Sequence, residues 1–328
     1  MKKNAFNRIY ILLFLITLSQ SVYADIHNEP DVQNFIDQMV QNHGFNINHL
    51  NTVFSKAKIS TSILDAISRP AEAMPWYKYR QIFIRKDRIA LGRKFIKENK
   101  KLLDAAEEKF GVPQEIIAAI IGVETRYGSN KGSYNVIDSL VTLGFRYPKR
   151  ASFFRSELEQ FLLLAREQDI DPNLIKGSYA GAMGIPQFIS SSYRAYAIDF
   201  DNDGKIDIWD NTADAIGSVA NYFKMHGWEQ GKSIILKANV SGNNLEEVLG
   251  NSLEPDKTIS ELMDYGVSTN ELIADNIHAR LFKYELENGE EYWLGLKNFY
   301  VITRYNHSSL YAMAVFQLSQ EMTINPDE

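Results

Sequence analysis

Apolar residues recur at three- and four-residue steps through 31–108, and Val32, Phe35, Ile36, Met39 and Val40 draw one helical stripe at its start. Gly111-Val112-Pro113 breaks the pattern, with Pro113 suited to a first helical turn. The next segment predicts a helix over about 114–127. It is apolar almost all round, through Ile116, Ile117, Ala118, Ala119, Ile120, Ile121 and Val123, which marks a buried helix. Further helices are expected at about 151–166, 172–176 and 212–225, the last carrying Ile216, Val219, Ala220 and Phe223 on one stripe. After Gly227 the character changes. Residues 233–240 read as a strand, as do 279–286 and 290–296, joined across Asn288-Gly289, a strong hairpin signal. Residues 308–320 return to a helical stripe of Leu310, Met313, Ala314, Phe316 and Gln317. The pattern predicts a mainly α chain with a small β-rich insertion before a final helix.

The N-terminus adds a compartment. Lys2, Lys3 and Arg8 precede an apolar run over 9–18, and Val22-Tyr23-Ala24 offers the small residue that signal peptidase favours. The run is shorter than the ~20 residues of a membrane span. Export with cleavage near Ala24 is the expectation, and an uncleaved anchor helix is the alternative. Composition fits a soluble globular protein: 328 residues, 45% hydrophobic and 12% aromatic, enough for a large core and too apolar for a disordered chain. The absence of cysteine removes disulfides, thiolate metal sites, thiol nucleophiles and acylation at a lipobox. A net charge of −6 argues against a general nucleic-acid binder. HExxH, GxSxG and Walker patterns are all missing, which weakens metalloprotease, serine hydrolase and P-loop readings.

Glu124 shares a helix face with Ile116, Ile117, Ile120 and Ile121. A carboxyl on such a face loses hydration and stays protonated near neutral pH, as a general acid on a glycosidic oxygen must. The alternative is a plain ion pair with Arg126 or another cation at the helix end. Residues 178–188 are rich in Gly and Ala, with Ser178 and Gln187 as hydrogen-bonding groups. That composition suits backbone approach to a ligand or, equally, a tight connection between helices. Asp199, Asp201 and Asp203, with Gly204 next, follow the EF-hand calcium pattern, the Lys205 carbonyl filling the seventh position. The usual Glu at twelve is replaced by Asp210, and Asp214 lies just inside the next helix; an acidic solvated turn is the other reading. The segment 299–306 and Tyr311 gather aromatic faces and an amide of the kind sugars stack on, although ordinary packing uses tyrosine the same way. The stretch 74–97 mixes Trp76, Tyr77, Tyr79 and Phe83 with Arg80, Arg85, Lys86 and Arg88. It suits a surface meeting an acidic or sugar-rich polymer, or a solvated helix face over an aromatic core stripe.

Taken together, these segments resemble the B-type lytic murein transglycosylases (glycoside hydrolase family 103). The matching strings are Gly122-Val123-Glu124-Thr125-Arg126-Tyr127-Gly128, the run 178–188, Asp199-Phe200-Asp201-Asn202-Asp203-Gly204, residues 214–222, and Tyr305-Asn306 with Tyr311. The resemblance spans about 35–320. It implies a lysozyme-like helical core over 109–228, an additional α domain over 25–108, a small β domain over 229–304 and a C-terminal return to the core over 305–328. It also implies cleavage of the β-1,4 bond between N-acetylmuramic acid and N-acetylglucosamine, with Glu124 as the single acid/base and a 1,6-anhydro product. Ser178, Gln187, Tyr79, Tyr222, Tyr305, Asn306 and Tyr311 match positions lining the glycan groove. Asp199, Asp201, Asp203, Lys205 and Asp214 match a structural calcium loop, with Asp214 ahead of Asp210 as its closing ligand, and no organic cofactor is implied. The implied partners are peptidoglycan strands and other cell-wall enzymes, with no nucleic acid and no transmembrane segment in the mature chain. Well-known members of the family are lipoproteins; this cysteine-free chain is instead expected to be soluble in the periplasm. A hydrolytic muramidase and a non-catalytic peptidoglycan-binding protein are the alternatives.

Overall fold

The computed structural model describes residues 26–68, 74–241, 244–250 and 252–323, so the leader expected over 1–24 lies outside the described residues. The first α-helices among the described residues are α1 (Pro30–His43), α2 (Ile47–Lys56) and α3 (Thr61–Ile67). Pro30 starts α1, Gly44 ends it at φ 65°, and the Asn46 side chain caps α2 by accepting from the Asn48 and His49 amides. Next come α4 (Trp76–Phe83), α5 (Lys86–Glu98), α6 (Lys100–Phe110) and α7 (Gln114–Thr125). A two-residue strand, β1 (Tyr134–Asn135), leads into α8 (Val136–Arg146) and α9 (Ala151–Glu167), followed by β2 (Lys176–Gly177), α10 (Ser190–Tyr196) and α11 (Thr212–Met225).

The β-rich part holds β3 (Ile235–Val240), β4 (Lys257–Thr258), α12 (Ile259–Asp264), β5 (Val267–Ser268), β6 (His278–Glu285) and β7 (Glu290–Gly295). Its strands form an antiparallel sheet in the order β4-β6-β7-β3-β5. Hairpin β6–β7 pairs Glu285 with Glu290 and turns through Leu286–Gly289, where Gly289 takes φ 97°. Helices α13 (Lys297–Tyr305) and α14 (Ser309–Thr323) complete the chain, so the aromatic segment at 299–305 is helical.

Buried side chains fall into three groups. Helices α1, α2 and α3 pack with α8 and α9 around Phe54, Phe154 and Phe161. Helices α4 to α7 pack instead with α11, α13 and α14 around Ile120, Phe223, Phe299 and Met313. The helices that precede α7 are thus divided between two cores. The sheet keeps a smaller core of its own around Leu236, Leu281 and Leu294. Tyr305 packs against both large cores, which places it at their seam.

One expected helix is absent. Residues 172–176 form a turn and the start of β2, because Asp171 diverts the backbone: its carboxylate accepts from the Asn173 amide at 2.9 Å and its carbonyl from Leu174 at 3.0 Å. The Ile175 carbonyl then goes to Val136, and β2 pairs with β1.

Candidate active site

Helix α7 carries Glu124 to the wall of an open cavity of about 560 Å³ that Val123, Thr125, Arg126 and Arg88 also line. Ile117, Ile120 and Ile121 are wholly buried, and Glu124 continues their face into the cleft. The helix then stops abruptly, with Arg126, Tyr127 and Gly128 at φ 52°, 59° and 82°. Left-handed backbone costs a side-chain-bearing residue about 1–2 kcal/mol, so two in succession need fixing by their surroundings. The Arg126 and Tyr127 amides bond back to the Gly122 and Ile121 carbonyls, each at 3.2 Å. The Tyr127 ring folds over Gly122, where a Cβ would stand 2.6 Å from its Cζ. Buried Thr125 ties the end of α7 to the loop opposite: its Oγ1 donates to the Ile185 carbonyl at 2.8 Å and accepts from the Gly128 amide at 3.0 Å.

Tyr311, buried on α14, donates its hydroxyl to Glu124 Oε1 at 2.6 Å. Burial pushes the Glu124 carboxyl up to about 7, and the Tyr311 hydrogen bond holds it from going higher. Burial also pushes the Tyr311 and Tyr305 hydroxyls upward, the nearby Glu124 charge adding to it, so both remain donors. Arg126 does not pair with Glu124. Its guanidinium bonds Asp87 at 2.7 Å, and among the described residues no other cation forms an ion pair with Glu124.

The Gly- and Ala-rich loop is tied to the end of α7 and to α13. Tyr305 donates to the Pro186 carbonyl at 2.6 Å, so both Tyr305 and Thr125 hold the loop beside Gln187. Gln187 sits at φ 53°, and its amide nitrogen donates to the carbonyls of Lys131 (3.2 Å) and Gly184 (2.9 Å). Because both partners are carbonyls, the nitrogen must face them and the amide oxygen points away. Ser178 Oγ accepts from the Ala180 and Ala182 amides at 3.3 and 3.0 Å and shapes the loop from within. Gly132 presses on this loop so closely that a Cβ would lie 2.1 Å from the Gly177 carbonyl oxygen.

Tyr222 is buried against Tyr305, their ring centroids 4.8 Å apart, and donates to the Arg304 carbonyl at 2.6 Å. Asn306 caps the end of α13, one residue beyond Tyr305. Tyr79 is buried between Trp76 and Phe83 and acts electrostatically on Tyr311. The structure therefore brings Glu124, Tyr311, Tyr305, Tyr222 and Gln187 together through direct contacts or a shared loop, with Tyr79 behind Tyr311. Thr125, Lys131 and Arg88 were not singled out as site residues by sequence reasoning. Only the fold shows the contacts that matter at Thr125 and Lys131; Arg88 carried a signal in its aromatic and cationic neighbourhood.

Asp199, Asp201 and Asp203 place carboxylate oxygens within 4.8 Å of one another. Asp199 accepts from the Asp203 and Gly204 amides at 3.1 and 2.8 Å, and Asp203 accepts from the Lys205 amide at 2.9 Å. Asp214, fully buried at the start of α11, accepts from the Phe200 and Asp207 amides at 2.8 and 2.7 Å, clamping both sides of the loop. Asp210 points elsewhere, to the Lys131 ammonium at 2.7 Å. Three converging carboxylates with no cation beside them repel one another, and a hard divalent ion with oxygen preference fits that donor set.

A family model described as the transglycosylase SLT domain matches residues 27–320. Membrane-bound lytic murein transglycosylase B of Escherichia coli strain K12 is 43% identical over 311 residues, covering 92% of this chain and 85% of the relative. Among solved structures, the catenated lytic transglycosylase SltB1 of Pseudomonas aeruginosa superposes with a TM-score of 0.87 at 49% identity, covering 90% of this chain and 98% of that one. The Escherichia coli lytic transglycosylase Slt35 in complex with calcium gives 0.84 at 45% identity, covering 91% of this chain and 94% of that one.

Proposed function

This chain belongs to the transglycosylase SLT domain family, and from that membership we propose that it cleaves the β-1,4 bond between N-acetylmuramic acid and N-acetylglucosamine with Glu124 as its acid/base. The enzyme class itself, a lytic murein transglycosylase on a mainly α, lysozyme-like fold, follows from the relatives. The bond and the residue roles are our reading of the site. The observation that supports it is a carboxyl lifted to about 7 in an open cavity, with a tyrosine hydroxyl 2.6 Å from one of its oxygens.

Since Oε1 accepts from Tyr311, the acid proton of Glu124 resides on Oε2. From there it passes to the leaving glycosidic oxygen as the bond to the muramic C1 breaks. The carboxylate so formed takes the proton of the muramic C6 hydroxyl while that oxygen attacks C1. This closes a 1,6-anhydro ring and restores the acid. Among the described residues lining this cavity Glu124 is the one carboxylate, whereas a two-carboxylate hydrolase needs a second across the bond. The substrate's own 2-acetamido oxygen supplies the stabilisation a second carboxylate would give. In this reading Gln187, Ser178, Tyr79, Tyr222, Tyr305 and Asn306 form and support the groove that seats the glycan.

We assign calcium to Asp199, Asp201, Asp203 and the Lys205 carbonyl, with Asp214 holding the loop in shape. The ion would neutralise the acidic cluster and stiffen the turn preceding α11. Export to the periplasm, where murein lies, agrees with the N-terminal pattern. Among the described residues no helix is long and apolar enough to cross a membrane. The assignment of Glu124 is tested with Glu124→Gln: it should bind sacculi and release no product, and undiminished turnover would overturn the assignment.

A further inference from the structure

The wall of the Glu124 cavity is cationic. Arg88 and Arg126 line it and also line an adjoining cavity of about 530 Å³, where Lys78, Arg85 and Asp87 join them. Asp87 is the single acid among the residues lining that second cavity, and Arg85 and Arg126 already share its two oxygens at 3.0 and 2.7 Å. Arg88 makes no ion pair among the described residues; its guanidinium rests over the Phe83 ring at 5.1 Å, and its Nη1 is buried without a hydrogen-bond partner. Among the described residues Lys78 likewise has no carboxylate partner, and its ammonium lies 5.6 Å from the Tyr77 ring centroid. A chain of net charge −6 has therefore gathered excess positive charge in a concavity that shares Arg88 and Arg126 with the cavity of Glu124.

Arg88 does not serve as a counter-ion to that acid. Among the described residues the Glu124 carboxyl pairs with no arginine, and its Oε1 accepts instead from the Tyr311 hydroxyl. The charge is placed for something that enters the cleft. A guanidinium stacked on a ring, with its Nη1 donor unclaimed, is preorganised to take a carboxylate. Murein glycan is uncharged where its muramic lactyl groups carry peptides, and those peptides bear the polymer's carboxylates. We propose that the pocket between α4, α5 and the end of α7 is a subsite for a carboxylate of the peptide borne on the strand being cut, with Arg88 as its principal contact and Arg126 and Lys78 as supporting charges. This inference rests on the murein reading above and adds a second element of recognition beside the sugar groove.

The test measures binding of purified glycan strands, either peptide-bearing or stripped of peptides with the uncovered lactyl carboxyls amidated, to the Glu124→Gln protein and to Glu124→Gln carrying Arg88→Gln or Arg88→Lys. Glu124→Gln should bind peptide-bearing strands roughly ten- to a hundredfold more tightly, the range of one charge-assisted hydrogen bond. Arg88→Gln should remove that preference and leave binding to stripped strands unchanged, which also shows that the variant is folded. Arg88→Lys should restore part of the preference, and peptides with amidated carboxyls should bind like stripped strands. Equal binding of the two strand types by Glu124→Gln, or a preference that survives Arg88→Gln, would overturn the subsite. So would loss of both strand types by an Arg88→Gln variant with an intact melting transition. Failure of Glu124→Gln to bind either strand type would instead count against the murein reading.

Discussion

The Tyr311 hydroxyl donates to Glu124 Oε1 at 2.6 Å across 187 positions of sequence, joining α14 to the end of α7. This bond opposes the effect of burial on the carboxyl and directs its proton to the free oxygen. Tyr311→Phe removes the opposing influence, so the Glu124 carboxyl should rise above about 7. A hydrogen bond to a charged group is worth about 1.5–3 kcal/mol, which corresponds to roughly one to two pH units. The alkaline limb of the kcat/KM profile, where the acid loses its proton, should move up by that amount. An unmoved limb would separate Tyr311 from the ionisation of Glu124.

The same carboxyl lowers the stability of the fold. Unfolded, it ionises near 4.5; folded, near 7. Below the first value both states are protonated and nothing is lost. Between the two, the unfolded chain gives up its proton more readily, and stability falls as pH rises, levelling off above about 7. The deficit is at most about 3 kcal/mol, and solvent in the cleft reduces it. Glu124→Gln should therefore melt a few degrees higher than the native chain at pH 8 and at nearly the same temperature at pH 4. Equal melting temperatures at both pH values would mean that the carboxyl is not strained by burial.

Calcium should raise the melting temperature of the native protein, and Asp201→Ala should abolish the rise. Asp210→Ala should retain it, because Asp210 is paired with Lys131 and directed away from the three clustered carboxylates. Differential scanning fluorimetry with calcium and with chelator checks all three; an absent response in the native chain would return the loop to a plain acidic turn.

What the sequence made legible follows from what is local. Glu124 could be placed on a buried face because Ile116, Ile117, Ile120 and Ile121 precede it at helical spacing, and the helix formed over nearly the expected span. The Asp199–Asp203 cluster is equally local, since a turn of a few residues brings its carboxylates together. The short stretch 172–176 failed for the complementary reason. Its backbone is committed to β1 and α8, more than thirty residues earlier, and to the Asp171 side chain, none of which periodicity reports. Distant pairings such as Tyr311 with Glu124, Thr125 with Ile185 and Gln187 with Lys131 are properties of the assembled cores. Motif resemblance had pointed to Tyr311 and Gln187; Thr125 and Lys131 needed the fold. The aromatic and cationic stretch at 74–97 is split in its placement: Trp76 and Tyr79 enter the core, while Arg85 and Arg88 stay at a cavity wall.

The central claim, that one carboxylate in this cleft drives intramolecular transfer, is tested most directly by mass spectrometry of the muropeptides released from purified sacculi by the native chain. The account predicts muramic ends lighter by one water than the hydrolysed products, and their absence from a Glu124→Gln digest. Reducing muramic ends would contradict transfer and establish a hydrolytic muramidase, and sacculus binding with no released product would establish a non-catalytic binding protein.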